Sequence, residues 1–170
     1  AIKEGIPKKL IIVFGNNYFH YLQKKNLKLD IKSFLNRKTK KILFISEPLI
    51  EDGISIRSKF KKDEFTYLNI LLENSPKDWE MHIKLHPREN QSKYKNYKKI
   101  KKIIKKKNLI KLINDYEIII GINSMLLVEI GLFRNNVFSM DFNSKNIFLP
   151  AKSKIVNQIN STKELKNIFN

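Results

Sequence analysis

Short apolar runs alternate with longer amphipathic stretches along this chain. Residues 10–14 are an unbroken apolar run closed by Gly15-Asn16-Asn17, the pattern of a strand buried on both faces. Residues 18–35 follow with a loose helical spacing, and the polar stretch 36–40 reads as a linker. A second buried strand is predicted over 42–45, followed by a polar loop over 46–57. Residues 65–72 put Phe65, Leu68, Leu71 and Leu72 on one helical face and stop at Asn74-Ser75-Pro76. Residues 79–85 alternate as a strand that must end at His86-Pro87, since proline has no N–H for a ladder and holds its predecessor extended.

The second half continues the alternation. Residues 91–107 are predicted as a helix, with Tyr97, Ile100 and Ile104 sharing a face under a coat of lysines. Residues 109–112 read as a short strand and 117–120 as a buried one, ended by the turn Gly121-Ile122-Asn123. Ser124 is placed to cap a helix over 124–133, and a strand over 137–140 and a closing helix over 163–169 complete the chain. Strands alternating with helices spell βαβ units, so the expected fold is α/β, a Rossmann-like parallel sheet flanked by helices. The chain starts at Ala1 in mid-pattern, so residues 1–40 are expected to be a remnant of a preceding domain and its linker, and residues 41–170 the folded domain.

Composition narrows the function. The 170 residues carry 34 Lys+Arg against 16 Asp+Glu, a formal charge of +18, and a 42% hydrophobic fraction large enough for a core. The absence of cysteine excludes disulfides, thiol catalysis and Cys-ligated metal. Specific nucleic-acid reading is not expected, because 30 of the basic residues are lysine and only Arg37, Arg57, Arg88 and Arg134 offer the guanidinium fork. No apolar run approaches the ~20 residues of a membrane span, and no signal-peptide pattern is present, so a cytoplasmic location is expected, with peripheral contact to an anionic membrane face.

In an open parallel sheet, ligands bind beyond the carboxyl ends of the strands, and four places there carry chemistry. Gly121-Ile122-Asn123-Ser124 leads into Met125 and offers backbone N–H groups and a hydroxyl to a phosphate, or is an ordinary helix cap. Lys84-Leu85-His86-Pro87-Arg88-Glu89 gathers an ammonium, an imidazole and a guanidinium, with strand alternation turning Lys84 and His86 to the same side. Glu129, further along the Ser124 helix, is set to reach ribose hydroxyls or to pair with a lysine. The loop 46–53 holds Glu47, Glu51 and Asp52, as contacts to a base or sugar, as a general base, or as a solvated turn. Of His20, His82 and His86, the last two are four apart on a strand, about 13 Å at ~3.3 Å per residue, too far to share a metal ion, and no metal is expected.

Lys84-Leu85-His86-Pro87 resembles the K-x-H-P motif of bacterial sialyltransferases and polysialyltransferases of the GT-B glycosyltransferase class. Asn123-Ser124 at a helix start is similar to that group's paired Ser-Ser/Thr motif, with Asn in place of the first Ser. Glu51-Asp52-Gly53 matches its acidic-acidic-Gly motif, at a spacing from His86 like that of the lipooligosaccharide branch. The resemblance covers about residues 41–150. It implies half of a GT-B fold that binds a nucleotide-sugar donor, CMP-sialic acid or a relative, for transfer to lipooligosaccharide or capsule without a cofactor. It assigns the donor phosphate to His86 and Ser124, the cytosine ring to Lys84, and the general base to Asp52. It also implies a glycan acceptor and an N-terminal domain missing from this chain, which is then expected to be inactive alone. Two other readings stand beside it: a UDP-sugar 2-epimerase-like enzyme on the same architecture, and a non-catalytic module for nucleic acid or anionic polymer.

Overall fold

The structure is a computed structural model, and it describes residues 17–24, 40–53, 63–106, 108–142 and 149–169. The strand expected over 10–14, the end of the helix expected over 18–35 and most of the linker lie outside the described residues. Among the described residues, six strands form one sheet: β1 (Lys41–Ile45), β2 (Glu80–Lys84), β3 (Ile100–Ile104), β4 (Ile118–Gly121), β5 (Val137–Met140) and β6 (Asn157–Ile159). Every pairing is parallel and the spatial order is β3-β2-β1-β4-β5-β6. This is the Rossmann-like α/β architecture that the strand–helix alternation predicts.

Among the described residues, six helices accompany the sheet: α1 (Asn17–Lys24), α2 (Glu64–Asn74), α3 (Leu109–Asp115), α4 (Met125–Gly131), α5 (Leu149–Lys152) and α6 (Thr162–Asn167). The strands alternate their side chains between two cores. Ile42, Phe44, Ile118 and Ile120 face one, with Tyr67, Leu68 and Leu71 of α2 and Leu165 of α6 packed on them. Leu43, Ile45 and Ile119 face the other, with Leu112 and Ile113 of α3 and Leu127 and Ile130 of α4. Burial on both faces explains why β1 and β4 are continuous apolar runs.

Caps fix the helix starts. Asp63 accepts the backbone N–H of Thr66 at 2.7 Å and opens α2, whose buried face is Glu64, Tyr67, Leu68 and Leu71, while Phe65 and Leu72 are only partly covered. Ser124 caps α4 as predicted, its Oγ accepting the N–H of Leu126. Arg134 closes the other end of α3: its guanidinium donates to the carbonyls of Ile113, Tyr116 and Glu117 at 2.7, 2.5 and 2.5 Å. Burial lowers that guanidinium to about 10.

Two predicted elements are wrong. Residues 91–107 are not a helix: one 3-10 turn, Gln91–Tyr94, is followed by β3. The isoleucines of Ile100–Ile104 pair with β2 at the sheet edge, where ladder hydrogen bonds and β-branched side chains outweigh a three-and-four spacing that merely looks helical. Tyr94 and Lys93 consequently turn inward. Residues 109–112 are the start of α3, not a strand, with Leu112 buried beneath it. The three-residue β6 was not predicted, its Asn157-Gln158-Ile159 being too short and polar to read as a strand. Among the described residues, no helix is long and apolar enough to cross a membrane.

Candidate functional site

The strand order reverses its direction of growth between β1 and β4, and such a switch point opens a crevice at the carboxyl ends of the strands. A cleft of about 560 Å³ lies there. Glu47, Asp52, Lys84, His86, Pro87, Arg88, Ser124, Met125 and Glu129 all line it, although they come from three separate parts of the chain. The remaining two candidates stand just behind. Gly121 is the buried last residue of β4, and a Cβ there would lie 3.0 Å from the Ile45 carbonyl oxygen, so this glycine serves strand packing. Asn123 contributes its backbone N–H, which donates to Glu47 Oε1 at 2.9 Å.

Each charged group in the cleft is held differently. Lys84, buried, donates through Nζ to the carbonyls of Leu85 at 2.6 Å and Lys105 at 3.1 Å, which among the described residues leaves one of its three N–H bonds for a ligand. Burial lowers its pKa. Arg88 is exposed and makes a two-pronged pair with Asp52, at 2.6 and 2.7 Å. That pair lifts the guanidinium further. Glu129 is raised by burial and accepts the hydroxyl of Tyr18 from α1, so it reaches back to the N-terminal helix. Glu47 is half-buried, and burial together with the carboxylates of Glu89 and Glu64 pushes it up to about 7 against the Asn123 N–H that favours its anion.

A carboxylate inside the predicted 84–89 stretch, to which the sequence assigned no role, braces this arrangement. Glu89, three residues beyond His86, accepts the His86 backbone N–H at 2.7 Å on one oxygen and the hydroxyl of Ser46 at 2.7 Å on the other. It thereby ties the turn after β2 to the end of β1, and Ser46 in turn meets the hydroxyl of Tyr94. Lys93 lies against Glu89 at 2.7 Å, Glu51 at 2.9 Å and the fully buried Glu64. The oxygens of those three glutamates lie within 4.8 Å of one another, a grouping that suits a cation, and the Lys93 ammonium fills that role. An acidic residue three positions after a strand-ending His-Pro, able to reach back to the free N–H, was the signal available in the sequence.

The cleft also has apolar walls. Pro48, Leu49, Leu109, Leu112 and Leu126 line it, and Met125 is 56% exposed beside Ser124. His82 is placed elsewhere, its Nδ1 at 3.0 Å from the Tyr116 hydroxyl and its Nε2 at 3.5 Å from Glu80. A second cleft, of about 430 Å³, lies where Lys40, Trp79, Glu117 and Phe169 gather near the opposite ends of the strands, and no candidate residue lines it. No protein-family model, curated protein or solved structure matches this chain.

Proposed function

We propose that the chain is the nucleotide-binding half of a GT-B-type glycosyltransferase and that the switch-point cleft takes a nucleotide-sugar donor. The observation that carries the reading is the convergence of Lys84, His86 and Ser124 on one cleft, from the ends of two strands separated in sequence. Their chemistry suits a phosphate: the Ser124 hydroxyl keeps its proton to donate while its oxygen caps α4, and the His86 ring and the spare Lys84 N–H add donors and charge. The apolar wall of Leu109, Leu112 and Met125 gives a nucleobase a surface to lie on.

The K-x-H-P resemblance favours a CMP-linked sugar, sialic acid or a relative, passed to a glycan such as lipooligosaccharide or capsule. Positive groups around a departing nucleotide stabilise the charge that develops on its phosphate, so a direct displacement needs no covalent intermediate. Asp52 is the candidate to accept the proton of the acceptor hydroxyl, once an incoming anion competes with it for Arg88. The acceptor and the rest of the site belong to a partner domain, and the reaction to the cytoplasmic face of an anionic membrane. The exposed lysines Lys98, Lys99, Lys101 and Lys102 at the β3 edge suit contact with that surface.

Titration calorimetry with CMP, UDP, GDP and a short DNA duplex, at low and moderate salt, tests this on wild type and His86→Ala. The expected result is CMP binding that the substitution weakens at least tenfold, about 1.4 kcal/mol. A preference for UDP would favour the 2-epimerase-like reading. Binding of DNA alone, erased by salt, would leave an anionic-polymer module and refute the proposal.

A further inference from the structure

Of the carboxylates in the cleft and the turn beside it, Asp52 and Glu89 are committed to cations and Glu129 to a neutral hydroxyl. Asp52 holds Arg88 through two bonds, Glu89 holds Lys93, Ser46 and the His86 N–H, and Glu129 takes the Tyr18 hydroxyl. Glu47 differs. One of its oxygens accepts a neutral backbone N–H, that of Asn123, and among the described residues no ammonium or guanidinium pairs with it. It sits at the end of β1, on the β1–β4 side of the switch point, in the same cleft as Lys84, His86 and Ser124.

We infer that Glu47 enters the bound complex as a carboxylic acid, donating its O–H to a phosphate-bearing ligand, so that binding takes up one proton. An ionised Glu47 would present a like charge to the phosphate, whereas its acid form supplies one more donor. The Asn123 bond to Oε1 fixes the carboxyl and leaves Oε2 as the oxygen to carry the proton. With the group at about 7 in the free protein, that proton costs little near neutral pH. The charged neighbours are Lys84 at the end of β2, His86 and the Arg88–Asp52 pair in the turn beyond it, Glu129 on α4, and Glu89 and Glu64 behind. Of these, Glu129 and the His86 imidazole are further groups able to take up a proton, so the Glu47→Gln comparison isolates Glu47 and His86→Gln the imidazole. The inference rests on the phosphate-ligand reading of the cleft.

The test is calorimetry of CMP and of inorganic phosphate, from about pH 6 to about pH 8.5, in pairs of buffers whose ionisation heats differ. Wild type, Glu47→Gln and His86→Gln are compared, so that the titration of the ligand itself cancels. Near pH 8 the wild type is expected to take up close to one proton more than Glu47→Gln, whose amide also donates. Relative to that variant, wild-type affinity should fall by up to about tenfold per pH unit above pH 7. CMP binding with equal uptake in wild type and Glu47→Gln overturns the inference and leaves the nucleotide reading standing. Phosphate binding with Glu47-dependent uptake, but no CMP binding, supports the inference and removes the nucleotide. Uptake lost only in His86→Gln assigns the proton to the imidazole and overturns it; binding of neither ligand overturns both.

Discussion

Glu47→Gln should make the free protein more stable, and only at neutral and alkaline pH. Burial moves this carboxyl from an ordinary 4.5 to about 7. A folded-state value above the unfolded one means that the folded chain holds the proton longer. The contribution to stability is therefore complete below about pH 4.5, falls as pH rises towards 7, and is gone above it. The full span corresponds to about 3 kcal/mol, and for a half-buried group exchanging with solvent about 2 kcal/mol is the working value. Glutamine keeps an oxygen to accept the Asn123 N–H and has nothing to ionise. Urea unfolding of both proteins near pH 4.5 and near pH 8 reads the effect: near coincidence in acid, and a variant more stable by about 2 kcal/mol in base. A difference that does not change between the two pH values would refute the reasoning, because every other titrating group is common to both proteins.

Four further outcomes follow from packing and polar networks. Lys93→Met should cost about 3–5 kcal/mol by urea denaturation, since it strands the buried Glu64 and Glu89 without their cation; a loss under about 1 kcal/mol would mean the cluster is held by something else. Gly131→Ala should lower stability by about 3 kcal/mol, because the added Cβ would lie 2.1 Å from the Ile155 backbone oxygen and the chain there must move. Ser124→Ala should cost about 1 kcal/mol with no ligand present, through loss of the α4 cap, and should also weaken CMP binding; an effect on stability alone would reduce Ser124 to a cap. Asp52→Asn should leave the thermal midpoint nearly unchanged and strengthen CMP binding by freeing Arg88, and weaker binding would show that the pair, not the free guanidinium, shapes the site.

The parts of this fold that were legible in sequence are those where burial on both faces leaves a continuous apolar signature. Residues 42–45 and 118–120 are strands where such runs occur, and 137–140 is one broken only by Ser139. Ile100–Ile104 lies at an edge, where Lys101 and Lys102 stay exposed between isoleucines packed on the two cores and produce a spacing that a helix shares. The 109–112 run failed for the converse reason, four apolar-rich residues being too few to distinguish period 2 from period 3.6. The cleft was legible because one rule, ligands at strand carboxyl ends, selects the same positions whatever the side-chain details. What was not legible is how its charges are partnered. The Glu47 contact spans 76 residues of sequence, the Arg88–Asp52 pair 36, and the Lys93–Glu64 contact 29. Such pairings are set by the sheet order, which residue spacing does not encode.

The central claim is that the crevice between β1 and β4 is a nucleotide site. Its most direct test is the map of backbone amide shifts as CMP is titrated into the labelled protein. The expected perturbations cluster at residues 46–52, 84–89 and 121–126, the three segments that surround the cleft. Perturbations centred instead on Lys40, Trp79 and Phe169 at the opposite cleft, or on the lysines of the β3 edge, would contradict the claim.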